Sequence, residues 1–157
     1  MNNFESQLVA WSIAWEGSIS LHYDKKSKSS LQTKIWIGNT ERELLDNFLQ
    51  LVKVGRVRHN RNATKNHKAC WEWQATSQAE CRQILESVLS YLPSSRKGQI
   101  AKLVLEFIKT RKEANCVKYN APYSKREWEI FAEVRLLNRR GYRIINDNKE
   151  VKVNVNP

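Results

Sequence analysis

The sequence predicts an α+β fold in which four antiparallel strands form one sheet, helices back one of its faces, and more helices follow at the C-terminal side. Three observations predict it. Apolar residues recur at helical spacing over residues 4–15, and the period switches to two at Gly17. Short runs alternating apolar with polar or basic residues then come in two pairs, each pair followed by a helical pattern. Capping residues, Gly or Pro stand at the seams between these runs. A length of 157 residues suits one domain, assigned to residues 1–142, with 143–157 as a weakly alternating tail.

The first helix is capped by Asn3 and runs to about Glu16. Phe4, Leu8, Trp11 and Trp15 make one bulky stripe; Ser6, Ala10, Ala14 and Gly17 make a small one beside it. On this pattern the bulky stripe fills the core, and the small stripe lets the backbone of a second helix approach closely. The alternative is a helix packed tightly on its own sheet. In the first reading, Ala10, Ile13, Ala14 and Gly17 form the contact between two copies of the chain.

After Gly17 the first strand turns Ile19, Leu21 and Tyr23 one way and Ser18, Ser20, His22 and Asp24 the other. KKSKSS is a polar turn. The second strand, about Leu31–Gly38, turns Thr33, Ile35 and Ile37 away from Gln32, Lys34 and Trp36. Thr40 caps the next helix, with Glu43 in capping-box position, and Gly55 ends that unit. The third strand, GRVRHN, puts Arg56, Arg58 and Asn60 opposite Val57; the basic connection after it holds Arg61 and Lys65. The fourth, ACWEWQA, puts Glu72 and Gln74 opposite Trp71, Trp73 and Ala75. Ser77 caps a helix stopped by Pro93, and two more helices follow at about Lys97–Ala114 and Ser124–Arg140.

The formal charge is +11, and its placement carries the meaning. From Asn47 to Trp71 there is no acid, and the basic runs coincide with strands rather than tails. A basic sheet face attracts a polyanion. Arg and Lys recognise guanine edges or phosphates, and Asn and Gln recognise adenine. A strand of about eight residues spans roughly 26 Å at ~3.3 Å per residue. That follows about eight base pairs at ~3.4 Å each. The DNA-binding face therefore comprises Ser18, Ser20, His22, Gln32, Lys34, Trp36, Arg56, Arg58, Asn60, Arg61, Lys65, Glu72 and Gln74.

Glu16 ends an apolar helix where the helix dipole disfavours an acid. Beside phosphates, a carboxylate is tolerated when a divalent cation bridges the two. Such a cation polarises a phosphodiester. One acid per chain is sparse, so two copies meeting at the first helix are needed for one cut in each strand. Other chemistries lack support. There is no Ser/His/Asp arrangement, HExxH or Gly-rich phosphate loop, and the three histidines lie on basic strands and loops. Cys70, Cys81 and Cys116 form neither a disulfide framework nor a CxxC motif. No run of apolar residues is long enough for a membrane span, and no secretory signal is visible. An intracellular protein is expected, in prokaryotic cytoplasm or an organelle matrix.

The stretch Val9-Ala10-Trp11-Ser12-Ile13-Ala14-Trp15-Glu16-Gly17, a helix ending in acid-Gly before a strand, resembles the signature of the LAGLIDADG homing endonucleases. So does the αββαββα order, and NTERELL, VGRVR and KGQIAKLVL are similar to recurring stretches of that family. The resemblance covers roughly residues 4–110. It implies a single-motif, homodimeric endonuclease that reads a long pseudo-palindromic site through its sheet and leaves 3′ overhangs. It implies Mg²⁺ or Mn²⁺ as cofactor, with Glu16 and the Trp15 carbonyl as ligands. It makes Lys97 the basic residue near the scissile phosphates and Asn39 the polar group that orients water. Trp11 and Trp15 stand where the family is usually small, which shifts close packing onto Ala10, Ala14 and Gly17. The competing function is a non-cleaving binder: an intron RNA maturase, with intron RNA as partner, or a transcription regulator.

Overall fold

The computed structural model describes residues 1–24, 30–92, 96–113 and 122–139. The KKSK turn and the tail from residue 143 onward lie outside the described residues, as does Cys116. The order is α1 (Asn3–Trp15), β1 (Gly17–Asp24), β2 (Ser30–Asn39), α2 (Arg42–Val52), β3 (Arg56–Arg61), β4 (Cys70–Ala75), α3 (Gln78–Val88), α4 (Arg96–Glu113) and α5 (Lys125–Asn138). The strands form one sheet in the order β1-β2-β4-β3, and every pairing is antiparallel.

The helix starts follow local chemistry. Asn2, Ser77 and Ser124 each close a capping box with Glu5, Glu80 and Glu127 respectively. The first cap is thus Asn2 rather than Asn3. Thr40 does not cap α2. The N-cap is Glu41 without a side-chain bond, and Asn39 Oδ1 accepts the Glu41 N–H at 2.9 Å, turning the chain there. The end of α2 also differs: Lys53 takes the left-handed conformation (φ 58°) ahead of Gly55 (φ 84°). A Cβ on Gly55 would sit 2.6 Å from the Gln74 carbonyl oxygen, so β3 can lie against β4 only with glycine there.

The strand faces match the alternation. Ile19, Leu21, Leu31, Ile35, Ile37, Trp73 and Ala75 face the helices and are buried, joined by Phe48, Ile84, Leu85, Ile100, Val104 and Phe107. The Trp73 ring lies edge-on to Phe48 at 4.7 Å, and its Nε1 donates to the Val54 carbonyl at 3.1 Å. Asn138 of α5 donates to the Ile19 carbonyl at 2.9 Å, tying the last described helix to the β1 edge of the sheet. Cys81 is buried, and burial pushes its thiol up to about 11, so it stays protonated and inert. Among the described residues no helix is long and apolar enough to cross a membrane.

One expectation is reversed. Val9, Ala10 and Ile13 are fully buried and Ser6 nearly so, whereas Phe4 is 73% exposed, Trp11 65% and Trp15 80%. The small face of α1 packs on its own sheet and helices, and the bulky face is outside. Ala10 and Ile13 therefore have no surface to offer a second copy. Gly17 is small for a local reason: a Cβ there would lie 2.7 Å from Ile13 Cα and 3.0 Å from the Ile13 carbonyl oxygen. The glycine lets β1 leave directly beneath the last turn of α1.

Candidate nucleic-acid interface and catalytic corner

The face of the sheet turned away from the helices collects chemistry from every strand. Directly opposed residues of an antiparallel pair project to the same side. The register sets Ser18 opposite Trp36, Ser20 opposite Lys34 and His22 opposite Gln32. It continues through Trp36 opposite Gln74 to Arg56 opposite Gln74 and Arg58 opposite Glu72. Ser18, Ser20, His22, Gln32, Lys34, Trp36, Arg56, Arg58, Glu72 and Gln74 thus share one face, as the alternation predicts. Asn60 departs from it. His59 pairs with Trp71 and Arg61 with Cys70, so a bulge leaves Asn60 without a ladder partner. The bulge moves Arg61 into register beside Arg56 and Arg58. Beyond it, Thr64 and His67 close the basic connection as a small hairpin, with Lys65 exposed at its tip.

Two of these residues are not surface groups. Glu72 is 5% exposed and Gln74 3%. Glu72 Oε1 accepts from Lys34 Nζ at 2.8 Å and from Arg58 Nη2 at 3.1 Å. Lys34 lies along the sheet, its ammonium 4.9 Å from the Trp36 ring centre. The acid is nearly buried, and its Oε1 is taken by the two cations.

At the end of this face, where α1 meets β1, stand Glu16 and Lys97. Glu16 is the C-cap of α1 and is exposed. Lys97, near the start of α4, reaches into the helix end. Its Nζ donates to the carbonyls of Ile13 at 2.9 Å, Ala14 at 2.6 Å and Gly17 at 2.7 Å. An ammonium has three donors, and here all three are engaged. Lys97 therefore caps the negative pole of the helix dipole. Burial, and then the neighbouring Arg96, lower its pKa from the ordinary lysine value, while Glu16 pulls it back up. Resemblance places Lys97 against phosphates; in this structure it holds α1, β1 and α4 together. No sequence signal announced this, because the bonds are made to backbone atoms 80 to 84 positions away.

The donor set here suits a shared cation rather than a closed one. Among the described residues no three His, Cys, Asp or Glu side chains gather as a metal site. What the corner offers is one exposed carboxylate, Glu16, and the Trp15 carbonyl, which is outside the set that Lys97 takes. Hard divalent cations accept such oxygens when phosphates or a second carboxylate complete the shell. Asn39 ends β2 beside this corner, since Gly17 pairs with Ile37 two positions before it. Its side-chain oxygen accepts the Glu41 N–H at 2.9 Å, which fixes the side chain at the end of β2.

No protein-family model and no curated protein sequence matches the chain. Solved structures do. The chain is similar to the homing endonuclease I-CvuI in complex with its target in the presence of calcium: 19% identity, 87% of this chain, 98% of that one, TM-score 0.57. It is similar to the archaeal intron-encoded homing endonuclease I-Vdi141I complexed with DNA: 16% identity, 92% of this chain, 90% of that one, TM-score 0.67. Against the LAGLIDADG homing endonuclease I-GzeII in complex with its DNA target, it covers 84% of its own length but 43% of the other chain, at 15% identity and TM-score 0.60. The fold is that of the LAGLIDADG homing endonucleases. In length it corresponds to I-CvuI and I-Vdi141I, and to about half of I-GzeII.

Proposed function

We propose that this chain is a sequence-specific, divalent-metal-dependent DNA endonuclease that works as a homodimer, cuts both strands of a long pseudo-palindromic site and leaves 3′ overhangs. The observation that carries the reading is the corner itself. One exposed acid, Glu16, stands where a sheet face rich in Arg, Lys and amide groups meets the end of α1. The DNA complexes of the structural neighbours, two with calcium or magnesium present, support the substrate and the metal class. The intron-encoded neighbour supports an intron-encoded origin, and the intracellular setting follows from the substrate.

The parts divide as follows. Arg56, Arg58, Arg61, Lys34 and Lys65 neutralise phosphates or bind base edges, while Gln32, His22, Ser18 and Ser20 add shorter polar contacts. Glu16 and the Trp15 carbonyl would hold Mg²⁺ or Mn²⁺ against a scissile phosphate. Bound there, the ion would polarise the phosphodiester and supply a water acidic enough to attack it. Lys97 fixes the helix end that carries both ligands. The outer stripe of α1 supplies the dimer contact: Phe4, Leu8, Trp11 and Trp15, apolar and exposed, are the kind of contiguous patch that marks an interface. Crossing this stripe on a copy of itself about a two-fold axis brings two Glu16 together, one for each strand.

The test is selection of cleaved duplexes from a random-sequence library, with Mg²⁺ or with a chelator. Wild type is expected to yield one long, near-palindromic consensus with Mg²⁺ and nothing with the chelator. Glu16→Gln is expected to retain binding to that consensus and lose cleavage. Binding without metal-dependent cleavage by wild type would instead identify a non-cleaving maturase or regulator.

A further inference from the structure

An acid buried on the face meant for DNA needs a reason. Glu72 lies at the centre of the sheet, on β4, with its side chain 7% exposed. Its Oε1 accepts from two cations on the flanking strands, Lys34 of β2 at 2.8 Å and Arg58 of β3 at 3.1 Å. Those cations differ in exposure: Lys34 is 18% exposed and Arg58 49%. A carboxylate near phosphates weakens binding, and burying one is costly unless it is paired. Both costs fall on this face, and an alanine or threonine on β4 would avoid both. The return lies in order. Lys and Arg side chains carry large rotamer entropy, which is lost when they grip a ligand. A shared acceptor removes much of that loss in advance and fixes the guanidinium plane and the ammonium position relative to each other.

We propose that Glu72 is a positioning residue for sequence reading: it locks Lys34 and Arg58, from opposite sides of β4, into one two-cation unit that meets base edges instead of roaming among phosphates. The inference rests on the DNA-binding reading above and assigns that surface a specificity device. Arg58, the more exposed partner, makes the direct base contact, with guanine as the preferred acceptor. Lys34, flat on Trp36, sets the depth at which DNA can approach. Glu72 discriminates without touching a base.

The consequence separates specificity from affinity. In Glu72→Gln the face loses one negative charge and both cations are released from it. They then pair with phosphates, which bind all sequences alike and steepen the salt dependence by about one unit per added phosphate contact. The experiment is rounds of binding enrichment from a random-sequence duplex pool in a chelating buffer, so that cleavage plays no part, with salt titrations on one unrelated duplex. Wild type is expected to enrich a defined motif. Glu72→Gln is expected to lose about fivefold to tenfold preference at one or two adjacent positions of each half-site. It is also expected to bind the unrelated duplex more tightly with a steeper salt slope. Adding Glu72→Gln to a Lys34→Met/Arg58→Met background should change the motif no further, because nothing is left for the acid to position. Thermal unfolding of each variant detects a fold defect, and Glu72→Met, an apolar replacement of similar length, gives a second reading if Gln destabilises. An unchanged motif in a folded variant, or an equal further loss in the double-Met background, overturns the proposal. Failure of wild type to enrich any motif overturns the DNA-binding reading itself.

Discussion

The two long faces of α1 are both apolar, yet they behave as opposites. The inner face, Ser6, Val9, Ala10 and Ile13, is closed against the protomer; the outer face, Phe4, Leu8, Trp11 and Trp15, stands in solvent. Hydrophobicity alone would bury the larger side chains, which remove more area from water. The structure decides otherwise. A Cβ on Gly17 would lie 2.7 Å from Ile13 Cα, so the chain turns tightly against the last turn of α1 as β1 begins, and Lys97 draws α4 onto the same turn. The side that packs inward carries Ser6, Val9, Ala10 and Ile13, all small or β-branched, and the tryptophans are left for another surface. The difference teaches that side-chain size alone does not select the buried stripe, and that the stripe left outside is an apolar surface of the kind partners use.

Mutations on the two faces should therefore separate stability from assembly. The largest loss is expected at the inner face. Ile13→Ala should cost about 4 kcal/mol in chemical denaturation of the protomer, from lost burial plus a cavity that cannot collapse. Next is Lys97→Met, which leaves three backbone carbonyls without donors and should cost about 3 kcal/mol. Lys97→Arg would sharpen the point, since a planar guanidinium cannot converge on three carbonyls as an ammonium does and should recover only part of the loss. Gly17→Ala should cost about 2 kcal/mol, because the obstacle is backbone and cannot swing aside. The smallest change in protomer stability, within about 0.5 kcal/mol, is expected for Trp11→Ala. That variant should instead weaken self-association about thirtyfold in sedimentation equilibrium, as loss of an interfacial tryptophan does. Equal loss of protomer stability from Ile13→Ala and Trp11→Ala would break the comparison.

The strands and their facing were legible because alternation has a period of two and no ambiguity once one face is buried. Ile19, Ile35, Ile37 and Trp73 point inward as the pattern requires, and Ser18, Ser20, Lys34, Trp36 and Gln74 point to the opposite face. The bulge at Asn60 was not legible, since a run of polar residues beside a polar loop contains no signal for one extra residue. Nor was the burial of Glu72. Alternation gives its side of the sheet, but not that Lys34 lies down across that side to reach it. Thr40 shows the limit of local rules: a capping-box pattern is present there, yet α2 starts one residue later at an N-cap Glu41 that makes no side-chain cap bond.

The sequence by itself determined the element order, the four amphipathic strands, the helix starts at Ser77 and near Ser124, and an acid-glycine step at the end of α1. Each of these depends on neighbours within a few residues, and local sterics and hydrogen bonding settle such matters. The tertiary structure alone decided which stripe of α1 is inside, that Lys97 grips the carbonyls of that helix, and that Glu72 is nearly buried with its Oε1 taken by two cations. Those outcomes depend on distances between segments far apart in the chain, where close packing leaves room for one side chain and excludes another.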